Sequence, residues 1–197
     1  MNTLELFHSL MDLNNPKDTA IFACITIIFY CMARLGEFTV PAVKQFDPMK
    51  HITRVHVTLH NLSSLPITKF HIPWTKMSLA GEDAQCAPLN SAITDPIEAL
   101  KHHFNLNPAE DSAHLFAWKH PIFSLCPLSK TEVTRRIGAL ITMHNLPNIR
   151  GHSLRIGGAL HYLLQGIPFD IVKMIGRWVG DSFTLYLCQH AMILSYP

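Results

Sequence analysis

Apolar and polar positions along this chain change period twice, and the changes predict where helix yields to strand and strand to helix again. Asn15 followed by Pro16 suits a helix N-cap and first helical position. The apolar series beyond them runs to about Arg34, where Leu35, Gly36 and Glu37 mark a break and a new start. From Arg54 to His60 the residues alternate strictly, Val55, Val57 and Leu59 against Arg54, His56, Thr58 and His60, which predicts a half-buried strand. After a turn over Asn61 to Pro66, a run from Ile67 to Trp74 sets Phe70 and Ile72 on one side. A loop containing Gly81 then leads to a short apolar return near Ala87, Pro88 and Leu89.

Helical spacing returns with Ile97, Leu100 and Phe104 behind Asp95 and Pro96, and again with Val133, Ile137 and Leu140 behind a capping box of Ser129 and Glu132. Asn105 to Leu128 between them reads as a long loop. The last third predicts a helix from about Ser153 to Gln165 stopped by Gly166, a second from Pro168 to Arg177, and a short one from about Ser182 to Gln189. This order gives an α+β fold: a mainly helical single domain with a small antiparallel three-stranded sheet.

Composition narrows the class without changing the picture. At 197 residues and 48% apolar content, one domain over 1–197 with a well-supplied core is expected. The apolar run from Ala20 to Ala33 is 14 residues, short of the roughly 20 that a membrane-spanning helix needs. No basic region precedes an apolar stretch at the N-terminus, so an intracellular protein is expected, with no membrane partner. Cys24, Cys31, Cys86, Cys126 and Cys188 are odd in number and never in a CxxC pair, which predicts reduced, buried thiols rather than a disulfide framework or zinc knuckle. A formal net charge of +2, with 13 histidines beside it, permits a nucleic-acid partner without requiring one.

Three segments carry residues that packing alone explains poorly. In Ala33 to Glu37, Arg34 follows an apolar helix with Glu37 three positions on, which can hold a guanidinium in a fixed fork for a phosphate; a local ion pair is the plainer reading. In Gly151 to Gly158, His152 and Arg155 share a face at a helix start, and Gly157 and Gly158 let another backbone or a ligand come close; a capping histidine and a surface arginine are the alternative. In the third, Gly176, Arg177 and Trp178 precede Tyr186, whose phenol is a weak nucleophile unless a base or positive charge activates it; taken alone, both aromatics look like core.

Taken in chain order, these segments and Lys76 at the hairpin end resemble the tyrosine recombinase (phage integrase) family over about residues 20 to 190. The stretches Ile72 to Lys76, His114 to Trp118 and Gly176 to Trp178 look most like recombinases of fungal mobile elements, of the Crypton or DIRS-like kind. The resemblance implies the DNA breaking-rejoining catalytic fold and a metal-independent enzyme that needs no cofactor. Its catalytic residues would be Arg34, Lys76, His152, Arg155, Trp178 and Tyr186, with Glu37 in support. It implies double-stranded DNA as partner, self-association on DNA and a nuclear location. The family's N-terminal core-binding domain is expected to be absent from 1–197, and the spacing from Trp178 to Tyr186 is eight residues where many relatives have nine. Rival readings are a DNA-binding remnant without turnover, a type IB topoisomerase that only relaxes supercoils, and a metal site built from His51, His56, His60, His102 and His103. Lys69, seven residues before Lys76, is the other hairpin lysine, and its place inside the strand argues for Lys76.

Overall fold

The computed structural model describes residues 3–62, 65–75, 78–89, 92–146, 149 and 151–180. Its centre is helix α2 (Pro16–Tyr30), whose residues from Asp18 onward are all buried. The helix starts as its sequence requires. Asn15 Oδ1 accepts from the backbone N–H of Lys17 at 2.9 Å and of Asp18 at 3.3 Å, and Pro16 occupies the first turn. A preceding helix α1 (Thr3–Leu10), which the pattern does not announce, adds Leu4 and Phe7 to the core.

On α2 pack α3 (Pro96–Leu106) and α5 (Gly151–Leu164), while α4 (Lys130–Met143) is tied to it through Arg136 and Asp18 and α6 (Phe169–Ile175) packs on α5. Asp95 caps α3 by accepting from Ile97 N–H at 2.7 Å and Glu98 N–H at 2.9 Å, and the box between Ser129 and Glu132 caps α4. Gly157 and Gly158 serve the crossing of α5 over α2. A Cβ on Gly158 would lie 2.0 Å from the Phe29 carbonyl oxygen, so only glycine permits this backbone approach. Gly166, at φ +80°, ends α5 as expected.

The sheet is three-stranded and antiparallel in the order β1 (Val57–Leu62), β2 (Leu65–Ile72), β3 (Glu82–Cys86). Thr68, Phe70, Ile72, Ala84 and Cys86 turn inward, and Phe70 meets Phe38 edge-on at 5.7 Å. Three expectations are corrected. Arg54–His56 is a 3₁₀ turn rather than strand, because the Thr53 N–H bonds His56 Nδ1 and the backbone of residues 54 and 55 bonds Ala113 and Asp111. The edge strand β1 then runs past the core, leaving Leu59 79% exposed, so its alternation does not mark a buried face. The third strand ends where the apolar return at 87–89 was expected to begin.

The expected loop over 105–128 also has a core and a hairpin, β4 (Trp118–His120) with β5 (Ser124–Cys126). Leu115, Phe116, Trp118, Cys126 and Leu128 are buried there. Strands of three residues are too short to show a period. Cys24, Cys31, Cys86 and Cys126 are free and buried, while Cys188 lies outside the described residues. Among the described residues no helix is long and apolar enough to cross a membrane.

Candidate active site

Past α2 the chain turns sharply through Met32, at φ 47°, and delivers Arg34 to the N-cap of the 3₁₀ turn Leu35–Glu37. Glu37 folds back on that turn. Its Oε2 accepts from the Arg34 backbone N–H at 2.9 Å, and its Oε1 from Arg34 Nη1 at 2.8 Å. The carboxylate is 7% exposed against 46% for the Arg34 side chain, so the acid is held inside and the guanidinium reaches solvent. A carboxylate that grips one side of a guanidinium leaves its other N–H groups facing outward in a fixed plane.

Helix α5 brings the second pair. Arg155, 2% exposed, donates from Nη2 to the Gly176 carbonyl at 2.6 Å, and its guanidinium lies 4.4 Å over the Trp178 ring. Its Nε and Nη1 have no hydrogen-bond partner among the described residues. A buried guanidinium with two unsatisfied donors is costly, and it is the arrangement an anionic ligand would complete. Burial, followed by the repulsion of Arg34, pushes the Arg155 pKa down to about 10, so the group stays charged at neutral pH. His152, one turn earlier, has its pKa lowered by partial burial and by the charges of Arg155 and Arg34, which favours the neutral imidazole.

Arg34, His152 and Arg155 line one cleft of about 820 Å³, with Lys130, Thr134 and Gly138 of α4 on the opposite wall. Among the described residues no carboxylate lines it. Three cations and a histidine thus line the cleft together with two threonines and apolar side chains, and a lining of that charge suits an anion.

Of the residues singled out in the sequence, the structure thus gathers Arg34, Glu37, His152, Arg155 and Trp178. Lys76, Tyr186 and the short helix expected over 182–189 lie outside the described residues. Lys69 is tied to Asp83 at 2.7 Å within the sheet. The histidines of the metal reading go to separate partners: His51 to Asp47, His56 to Thr53, His60 to Thr58, His102 to Leu13 and His103 to Leu115 and Asn107. Among the described residues no group of three or more histidine, cysteine or acidic side chains is placed to hold a metal. Sequence reasoning missed Arg177 and Lys130. Arg177 Nη2 donates to Glu37 Oε2 at 2.6 Å, and the one sign of it in the sequence is a long cation wedged between Gly176 and Trp178.

No family model and no curated protein matches the chain. Solved structures do. An Flp recombinase–Holliday junction complex matches with TM-score 0.59 at 14% identity, covering 91% of this chain and 42% of that one. The site-specific recombinase XerH, bound to its difH substrate in a pre-cleavage complex, matches with TM-score 0.56 at 15% identity, covering 100% of this chain and 54% of that one. The chain has the tyrosine recombinase catalytic fold. It spans about half the length of these recombinases or less, and at such identity the likeness speaks for the fold alone. Within the tyrosine recombinase fold, the cleft is built where α4, α5 and the Arg34 turn meet, and the exit of α6 backs Arg155 from behind.

Proposed function

We propose that this chain is a DNA strand-breaking and rejoining enzyme of the tyrosine recombinase family, acting at the phosphodiester of double-stranded DNA. One observation carries the reading: two guanidiniums, one of them buried with two donors unpaired among the described residues, face a cleft that no described carboxylate lines, beside a histidine whose pKa is lowered by burial and by their charge. The recombinases that share the fold, crystallised with a Holliday junction or a difH substrate, support it.

In this reading Tyr186 attacks the scissile phosphorus. A P–O bond forms to the phenol oxygen while the bond to the 5′-oxygen breaks, giving a 3′-phosphotyrosyl link that a second 5′-hydroxyl later displaces by the reverse step. Arg34 and Arg155 hold the non-bridging oxygens and stabilise the added charge of the transition state, work that a metal does in other phosphoryl-transfer enzymes. His152 takes or shares the phenol proton, Trp178 packs on Arg155 to fix it, and Lys76 protonates the leaving 5′-oxygen. Glu37 braces Arg34. Strand exchange adds self-association on DNA to the proposal. The finer assignment, to mobile-element recombinases of the Crypton or DIRS-like kind acting in a nucleus, rests on the wording of the motifs in the sequence.

Covalent trapping tests the proposal. The protein is incubated with nicked or branched DNA in EDTA, denatured in SDS and examined for a protein–DNA adduct. An adduct that disappears in Tyr186→Phe is expected. A folded, DNA-bound protein that forms no adduct on any of these substrates would instead be a binding remnant.

A further inference from the structure

Arg177 holds a position that a helix normally gives to glycine. Helix α6 ends with Gly176 as its cap, and Arg177 follows at φ +54°. The Arg177 N–H bonds the Met174 carbonyl at 3.0 Å and the Trp178 N–H bonds the Lys173 carbonyl at 3.2 Å, the paired bonds of a Schellman stop. The left-handed residue of that motif is usually glycine, because a Cβ strains the backbone there. This chain places its glycine one position earlier and sets a long side chain on the strained residue.

The side chain accounts for the choice. It is 13% exposed and reaches two elements, the Leu35–Glu37 turn and β3: Nη2 donates to Glu37 Oε2 at 2.6 Å, Nε forms an ion pair with Glu82 at 3.4 Å without a hydrogen bond, and Nη1 bonds the Asp83 carbonyl at 3.4 Å. Glu37 is the carboxylate that grips Arg34. Arg177 thus shares the charge of Glu37 with Arg34, so the acid orients Arg34 without cancelling it. The same turn carries the two groups against Arg155, the Gly176 carbonyl and the Trp178 ring. The ring lies so close over Gly176 that a Cβ there would sit 1.6 Å from Trp178 Cζ3. Whatever fixes Arg177 therefore fixes both cleft arginines together.

We infer that Arg177 is a positioning residue for the anion site: its forked guanidinium locks the α6 exit to Glu37 and β3 and so sets Arg34 and Arg155 on one phosphate. The inference rests on the proposed phosphodiester chemistry for its meaning, but its test does not depend on turnover.

Two variants separate the roles. Arg177→Gly removes the fork and relieves the backbone, and Arg177→Lys keeps the charge without the fork. In both, binding of inorganic phosphate, followed by the side-chain N–H signals of Arg34 and Arg155 in NMR, is expected to weaken about tenfold. The Gly variant should unfold no more easily than the parent. Trapped adduct at saturating DNA should form about 10²-fold more slowly, as for a displaced catalytic group, with DNA affinity little changed. If either variant folds and keeps the parent's phosphate affinity, the inference is overturned, in the case of Arg177→Lys because charge without the fork would then suffice. A parent that binds phosphate yet never forms an adduct would sink the strand-breaking proposal while leaving Arg177 to be judged on the phosphate data.

Discussion

Helix α2 and the corner around Arg155 are both buried, and they treat polar groups in opposite ways. Along α2 the inward polar side chains find partners. Asp18 accepts from Arg136 Nε at 2.8 Å, Thr19 and Thr26 donate to the carbonyls of Leu13 and Phe22 at 2.7 Å, and Tyr30 meets Thr94 at 3.0 Å. At the corner, Arg155 keeps two donors without partners among the described residues and Arg177 sits on strained backbone. A structural element avoids such costs, while a ligand site carries them until the ligand arrives. Buried atoms without a partner occur elsewhere too, at Arg54, His114 and Trp118, but those of Arg155 border a cleft that Arg34 and His152 also line.

Substitution should divide the two regions cleanly. Ile25, fully buried in α2, is expected to lose about 2–5 kcal/mol of stability when replaced by alanine, read from the urea unfolding midpoint, with adduct formation per folded molecule unchanged. Arg155→Met should do the reverse. Exchanging a buried, incompletely paired charge for an apolar chain of similar length is commonly neutral or stabilising, whereas losing one preorganised donor slows the chemistry about 10²- to 10³-fold. Adduct assays and unfolding curves on one preparation check both halves. An Arg155→Met protein as unstable as Ile25→Ala would place Arg155 with the core.

Regions differ as well in how far the sequence announces them. Helices α2, α3 and α4 are legible because Asn15, Asp95 and Ser129 are local caps whose partners lie within three residues. The start of β1 is not, since the turn at Thr53 depends on Ala113 and Asp111, far along the chain. Spacing alone puts His152 and Arg155 on one face, and Arg34 beside Glu37. The Arg177–Glu37 contact joins positions 140 residues apart, and no local pattern encodes it. Tyr186 and Lys76 rest on the sequence resemblance.

Acid should break the contrast from the core side. His103 Nε2 lies 3.2 Å from the Leu115 carbonyl and its Nδ1 3.1 Å from Asn107 Nδ2, an arrangement that suits a neutral ring, because a proton on Nδ1 would face another donor. Burial above all pushes both His103 and His114 down to about 3. Each stays neutral in the folded protein while the unfolded chain takes up protons below the usual value near 6.5. Stability is therefore fully present above that pH and falls away toward pH 3. At pH 5 the loss is 1.5 pH units at about 1.36 kcal/mol each, about 2 kcal/mol per histidine. Unfolding midpoints at pH 7 and pH 5 measure it, and an unchanged midpoint would mean that these rings are not held neutral.

The smallest effect is expected at Lys69, and it bears on which hairpin lysine works in the site. Lys69 Nζ pairs with Asp83 at 2.7 Å, both side chains more than a third exposed, on a strand whose inward residues are Thr68 and Phe70. An exposed pair of this kind contributes at most about 1 kcal/mol, so Lys69→Met should change adduct formation by less than about fivefold, since about 1.4 kcal/mol corresponds to tenfold. Asp83 is also bonded by His71 at 2.8 Å, so the carboxylate keeps a partner when the lysine is gone. Trapping rates on a substrate whose 5′-oxygen is replaced by sulfur sharpen the result, because a thiolate leaves without a proton. If Lys69→Met slowed the ordinary substrate as much as Arg155→Met and the sulfur substrate restored it, the general acid would be Lys69, and Lys76 would become the solvated surface charge.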